Sequence, residues 1–242
     1  MKKLFIILAI IGISTSVNAQ WGSKKVKGNG NTTQITRDLK TYDAVHVSGF
    51  FDVFLVAGEE GKVQLEGESN LLDYVITEVR GNVLDIKTEN GVNLQPSHNN
   101  MITITVPFKD LDEVNLSGSG DVVSRDRIMA TSFSTALAGS GDVVLEIEAK
   151  TIKASLSGSG DLTLKGKTQG VDLNLSGSGD IHASELKATD ADVSVAGSGD
   201  ISLNCDGGTL KARVAGSGDI EYSGNPSRED SKVVGSGSVS KN

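Results

Sequence analysis

One tetrapeptide governs what this chain can fold into. Gly-Ser-Gly-Asp stands at residues 118–121, 139–142, 158–161, 177–180, 197–200 and 216–219, and a seventh copy, ending in Ser, at 235–238. The aspartates fall at 121, 142, 161, 180, 200 and 219, so the steps are 21, 19, 19, 20 and 19, and Ser238 follows 19 residues later. Two glycines in each of seven copies make 14 of the chain's 29, so the glycine excess belongs to a repeat rather than to low complexity. With only three prolines in 242 residues, collagen and proline-rich disorder are excluded.

Gly-Ser-Gly alone reads as a flexible linker. The flanks reject that reading. Five residues before each Asp come Leu116, Leu137, Leu156, Leu175, Val195 and Val214, with Val233 before Ser238. One residue after come Val122, Val143, Leu162, Ile181, Ile201, Ile220 and Val239, and Leu145, Leu164 and Leu203 continue the alternation. Apolar residues at alternate positions mean strands with one face turned inward. Each unit is therefore a strand, a Gly-rich bend, a second strand and a polar return such as Lys165–Gly170. Nineteen residues are too few for a strand–helix–strand unit, which needs about 30, but suit one coil of a parallel β-solenoid. Seven coils at about 4.8 Å give a rod of roughly 30 Å. The glycines share the parity of the core positions, where a side chain would crowd the corner.

The front half is less regular. Val45–Val53 reads as a degenerate copy of the bend, and strands are expected over 63–65, 74–79, 83–86 and 102–106, with a single helical turn at 70–73. Residues 20–40 are polar and Gly-rich, and read as an arm or cap over the first coil. The expected organisation is thus a leader at 1–19, an arm at 20–40, irregular coils at 41–115 and repeat coils at 116–242.

Met1-Lys2-Lys3 followed by the ten-residue apolar run Leu4–Ile13 and Val17-Asn18-Ala19 has the form of a secretory signal peptide cut after Ala19. The run is half of the ~20 residues a membrane span needs, and Gln20 stands where a lipoprotein would carry Cys. The mature chain is expected to be exported, to the periplasm, the outer-membrane surface or the medium, without a membrane span. Without Lys2 and Lys3, 21 basic residues face 31 acidic ones, a balance of −10 that repels phosphate backbones and argues against a nucleic-acid partner. The single Cys205 forms no internal disulfide and no thiolate metal cluster.

Val47-Ser48-Gly49-Phe50-Phe51-Asp52-Val53, Asn70-Leu71-Leu72 and the iterated Leu-Ser-Gly-Ser-Gly-Asp-Val together resemble the head GIN domain family of auto-transporter adhesins, over about residues 41–238. The resemblance implies an all-β fold, a right-handed single-stranded parallel β-helix with coils of about 19 residues, exported to the cell envelope with an adhesive role. No catalytic residues come with it. A true autotransporter ends in a membrane β-barrel, whereas this sequence ends at Ser-Val-Ser-Lys-Asn, so self-secretion is not expected.

The candidate binding residues are Asp121, Asp142, Asp161, Asp180, Asp200 and Asp219. Aligned coils place these like charges about 5 Å apart, at a cost of ~1 kcal/mol per neighbouring pair in water and ~3–4 near a protein surface. Three readings offset that cost. The carboxylates accept hydrogen bonds from amides of the bend and from adjacent Ser hydroxyls. Alternatively they ligate calcium, as stacked Gly-Asp turns do in nonapeptide rolls, although this period is 19 and each turn has one Asp. Or they form a recognition stripe for a cationic or hydroxyl-rich partner.

No enzyme is expected. A β-helix acting on polysaccharides needs clustered acids with Arg or Lys and aromatics for stacking, and the repeat half has only Phe133 and Tyr222. His46, His98 and His182 are scattered. Arg125-Asp126-Arg127 reads as a solvated turn, and Cys205 has no His nearby in sequence to activate it. Phe50 and Phe54 share one strand face, which is either covered or a docking patch. The sequence thus points to a non-enzymatic envelope module whose partner is a protein or glycan. The alternatives are a polysaccharide-acting enzyme or a calcium-stabilised scaffold. Open solenoid ends also allow a homo-oligomer, which Ser238 and Lys241 would discourage.

Overall fold

In the computed structural model, which describes residues 23–97 and 100–242, the alternation becomes two parallel ladders of strands. The leader, Trp21 and His98 lie outside the described residues. One ladder runs through Ala44–Gly49, Glu113–Gly118, the second parts of Ile128–Gly139, Val143–Gly158, Leu162–Gly177 and Ile181–Gly197, then Thr209–Gly216 and Arg228–Gly235. Across the Gly-Ser-Gly-Asp bend, the other runs through Asp52–Ala57, Val122–Ser124, the first parts of the long strands, Ile201–Cys205, Ile220–Ser223 and Val239–Lys241. The chain is a β-solenoid of about seven turns with coils of about 19 residues.

The long strands turn a corner without breaking. In Leu162–Gly177 the buried positions are Leu162 and Leu164, then Thr168, then Val171, Leu173 and Leu175, so the inward parity changes at 169–170. The core is made of rungs. Leu116, Leu137, Leu156, Leu175, Val195 and Val214 form one stack, and Val122, Val143, Leu162, Ile181, Ile201 and Ile220 another, all buried. Full burial of each such side chain contributes about 1.5–3 kcal/mol.

The bend requires both of its glycines. The first has φ between +134° and +143° throughout the seven copies. A Cβ on the second would stand 1.9 Å from the carbonyl oxygen of its equivalent one coil earlier at Gly141, Gly160, Gly199 and Gly237. Backbones of successive coils therefore touch where a side chain would stand. The contact is productive: the Gly139 carbonyl accepts N–H bonds from both Ser159 (2.9 Å) and Gly160 (3.3 Å), and other bends repeat this.

The entry section departs from simple stacking. The coil at 44–57 lies directly against the coil at 113–124, and Val83–Thr88 and Thr103–Phe108 form a further coil on its outer side, parallel to it. Order in space thus differs from order in sequence. Antiparallel strands finish this end: Val75–Arg80 on Val83–Thr88, and Lys62–Glu68 between Thr103–Phe108 and Thr32–Asp38. The helical turn Ser69–Leu72 buries Leu71 and Leu72. In the 20–40 segment, Lys24–Lys27 pairs with Val92–Gln95, and Thr32–Asp38 forms the antiparallel strand already described. The Arg37 guanidinium donates to the carbonyls of Val75 and Leu72 (2.7 Å for the latter), and the Tyr42 hydroxyl donates to the Pro107 carbonyl.

Candidate functional site

The bends of successive coils lie one above the next, which lines up Asp121, Asp142, Asp161, Asp180, Asp200 and Asp219 along one edge of the rod. Each backbone N–H in the series donates to the Oδ1 of the aspartate one coil earlier: Asp142 to Asp121 at 3.1 Å, Asp161 to Asp142 at 3.0 Å, Asp180 to Asp161 at 3.1 Å, Asp200 to Asp180 at 2.8 Å and Asp219 to Asp200 at 2.7 Å. Ser238 ends the series, donating both its N–H (2.7 Å) and its hydroxyl (2.9 Å) to Asp219. The carboxylates do accept amide bonds, but from the following coil rather than from their own bend. That detail was beyond sequence reasoning, because a single unit contains only half of each hydrogen bond.

Asp52 occupies the corresponding place in the degenerate coil, since Val53 is in register with Val122. Burial, and then the Asp121 carboxylate, push its carboxyl above the usual range, while the Asp121 amide pulls it down. Sequence reasoning left Asp52 out of the series, although the copy at 47–53 contained it.

Only one oxygen of each carboxylate is used this way. Asp121, Asp142, Asp161 and Asp200 are exposed, while Asp180 and Asp219 are half-buried. The bend serines Ser119, Ser140, Ser159, Ser178, Ser198, Ser217 and Ser236 are exposed beside them. The edge is therefore a rigid row of alternating hydroxyls and carboxylates with the spacing of the coils. Asp161, Asp180 and His182 bring one potential ligand atom each to within 4.8 Å of one another, the one group of three found among the described residues.

The other candidates are absorbed by structure. Cys205 is fully buried, its Sγ 3.3 Å from the Thr189 carbonyl, and burial followed by the Asp190 charge pushes the thiol up, away from thiolate. His46 bonds Glu113 at 2.7 Å. The Arg125–Arg127 turn is more engaged than a solvated one. Arg125 stacks over Phe54 at 4.2 Å, Asp126 accepts the Ala57 N–H at 2.8 Å, and Arg127 pairs with Glu146 at 2.6 Å. Phe50 is half-buried with its ring centroid 5.1 Å from that of Phe51, so this face is largely covered.

The family described as "Putative auto-transporter adhesin, head GIN domain" matches residues 41–226. Among solved structures, a "putative adhesin" of Bacteroides fragilis NCTC 9343 is similar with a TM-score of 0.81 at 21% identity, over 90% of this chain and 100% of that one. A "Putative lipid binding protein" of Parabacteroides distasonis ATCC 8503 has a TM-score of 0.74 at 28% identity, over 90% and 100%. A "putative adhesin" of Parabacteroides merdae ATCC 43184 has 0.73 at 20%, over 90% and 99%. No curated protein matches the sequence. Among the described residues no helix is long and apolar enough to cross a membrane.

Proposed function

This chain belongs to the head GIN domain family, and from that premise we propose that it is a non-enzymatic, adhesin-like interaction module of the cell envelope whose binding face is the Ser/Asp edge. The observation that carries this reading is the aspartate series itself. Its carboxylates are fixed by amides of the next coil, so they present charge and hydroxyls in a set geometry without having to order flexible side chains on binding. Repetition adds a second advantage. A partner with repeating cationic or hydroxyl groups engages several coils at once, so weak single contacts sum to useful avidity.

In this reading the edge needs no ion to hold its shape, because the amides already offset the carboxylate repulsion. The melting temperature is therefore the same in millimolar calcium and in chelator, and a rise with calcium would replace this reading by a calcium-stabilised scaffold. The location is tested by protease shaving of intact cells followed by blotting. Loss of the protein places the edge where an external surface can be bound. Protection until the outer membrane is broken would overturn the adhesin reading. On shaved-positive cells, the triple change Asp142→Asn, Asp161→Asn, Asp180→Asn keeps each acceptor oxygen and removes three charges. It is expected to reduce adhesion to an immobilised matrix while leaving the melting temperature unchanged.

A further inference from the structure

The two ends of the solenoid are finished differently. At the entry end, antiparallel strands and the buried Leu71 and Leu72 close the core. At the other end, among the described residues, Arg228–Gly235 is paired on one side only, with Thr209–Gly216, and all eight of its residues are exposed. Val234 is 62% and Val233 39% exposed, two of only four large apolar side chains so exposed among the described residues. An unpaired strand edge offers a row of free N–H and C=O groups, a template for another strand.

We infer that this edge pairs with the same edge of a second copy, antiparallel about a two-fold axis through Ser231. Register and charge select this arrangement from its rivals. The ladder with Thr209–Gly216 sets Glu229, Ser231 and Val233 behind the buried Leu210, Ala212 and Val214, so these three face the core side, while Arg228, Asp230, Lys232 and Val234 face outward. Residues opposite each other in an antiparallel pair share a face, so an axis between two residues would join a core side to a solvent side. The axis must therefore pass through a residue. An axis at Asp230 sets Asp230 against Asp230 and Arg228 against Lys232. An axis at Lys232 sets Lys232 against itself, and one at Val233 joins five residues and matches no charges. The axis at Ser231 joins the seven residues 228–234 and sets Asp230 opposite Lys232 twice; the Asp230 carboxylate already accepts from Arg213 at 2.8 Å, and Lys232 of the second copy joins that pair as a second cation. It also sets Val233 opposite the stem of Glu229, whose carboxylate is already held by the Tyr222 hydroxyl at 2.7 Å.

Symmetry makes this assembly self-limiting. A two-fold contact uses the same edge on both copies, so it closes at a dimer whose free ends are the two sealed entry ends. One strand edge buries less than the ~1,200–2,000 Å² of standard complexes, so the dimer is weak and forms as concentration rises.

Sedimentation equilibrium of the purified protein should show the mass climbing toward twice the monomer between micromolar and millimolar concentration. Lys232 is exposed and makes no ion pair among the described residues, so Lys232→Asp should leave the circular dichroism and melting curve in place. By setting Asp against Asp230 it should weaken the dimer at least about tenfold. The double change Asp230→Lys, Lys232→Asp reverses both charges; it removes the Asp230 partner of Arg213 but puts the new carboxylate at 232, the position in register with Arg213, so it should keep the fold and restore the dimer. Ser231→Cys sits on the axis and should give a disulfide-linked dimer on mild oxidation. The wild type, whose Cys205 is buried, should not. A monomer at every concentration, a double change that fails to restore association, or no cross-link at 231 would each overturn the inference.

Discussion

The repeat half, residues 113–241, and the entry section, residues 24–112, both bury an apolar core, but they are specified by different means. In the repeat half the backbone dictates. Coils touch at the bend glycines, amides bond the carboxylates of the previous coil, and glycine recurs at both bend positions because a Cβ there would meet the backbone of the previous coil. In the entry section single side chains do the specifying. Arg37 ties the turn at Leu72 and Val75, Tyr42 reaches Pro107, and the buried Glu68 accepts from the N–H groups of Gly30 and Ser97 and from the Ser97 hydroxyl. A structure built by translation needs a few positions held absolutely and leaves the rest free to drift. A structure built without translation must be written one residue at a time.

The sharpest test sets one glycine from each region against the other. Gly160→Ala puts a Cβ 1.9 Å from the Gly141 carbonyl oxygen, which only a backbone shift relieves, and should cost on the order of 3–5 kcal/mol. Gly81→Ala meets nothing within 4 Å and bears only the strain of φ +62°, so it should cost about 1 kcal/mol. Equal losses in chemical denaturation would break the comparison. Next in size is Glu68→Ala, which removes the buried carboxylate that accepts from the Gly30 and Ser97 amides and the Ser97 hydroxyl and should cost about 2–3 kcal/mol. Its effect should be local: hydrogen exchange rises over 24–38 while the coils at 143–223 keep their protection.

A gain is expected in the repeat half. The Thr135 hydroxyl is buried without a hydrogen-bond partner, so Thr135→Val should add about 1 kcal/mol and raise the melting temperature by about 2–4 °C. The smallest effect falls where the two regions meet. Asp52 carries a carboxyl pushed up by burial and then by Asp121. A raised folded-state pKa means that the protonated group favours the fold; that contribution is present at acid pH and is lost as the pH rises through the folded value. Asp52→Asn should therefore melt slightly higher than wild type at pH 7, with the gap closing as the pH falls into the carboxylate range. A gap that stays constant with pH would show that burial of charge is not the cause.

The contrast also explains what could be read without coordinates. The coil length, the inward rungs from Leu116 to Val214 and from Val122 to Ile220, and the degenerate copy at 45–53 were all visible, because translation writes the same pattern many times. The corner at 169–170 was not, since it appears as a parity change inside one continuous strand. Nor was the outward placement of 83–108. Strands there were legible one by one, but their partners are antiparallel or out of sequence order, and alternation says nothing about pairing. At the candidate edge, the row of aspartates was legible and its hydrogen-bond partner was not. Val233 and Val239 matched the apolar pattern, yet they sit on the last coil, with nothing stacked beyond them among the described residues to cover them.

The displaced coil has a consequence for the order in which the molecule can assemble. Within the repeat, a residue meets its neighbour on the next coil 17–21 positions later, a short loop to close, and such contacts can nucleate anywhere and spread. Ala44 instead meets Glu113, 69 positions on, and must wait for the whole intervening segment. A chain made from its N-terminus therefore cannot complete its first coil early. One side of that coil can stack on 83–88 and 103–108, 39 and 51 positions on, but its other side closes only when the first repeat coil exists. Slow, non-local closure is concentrated at one end of the rod, and the rest can zip.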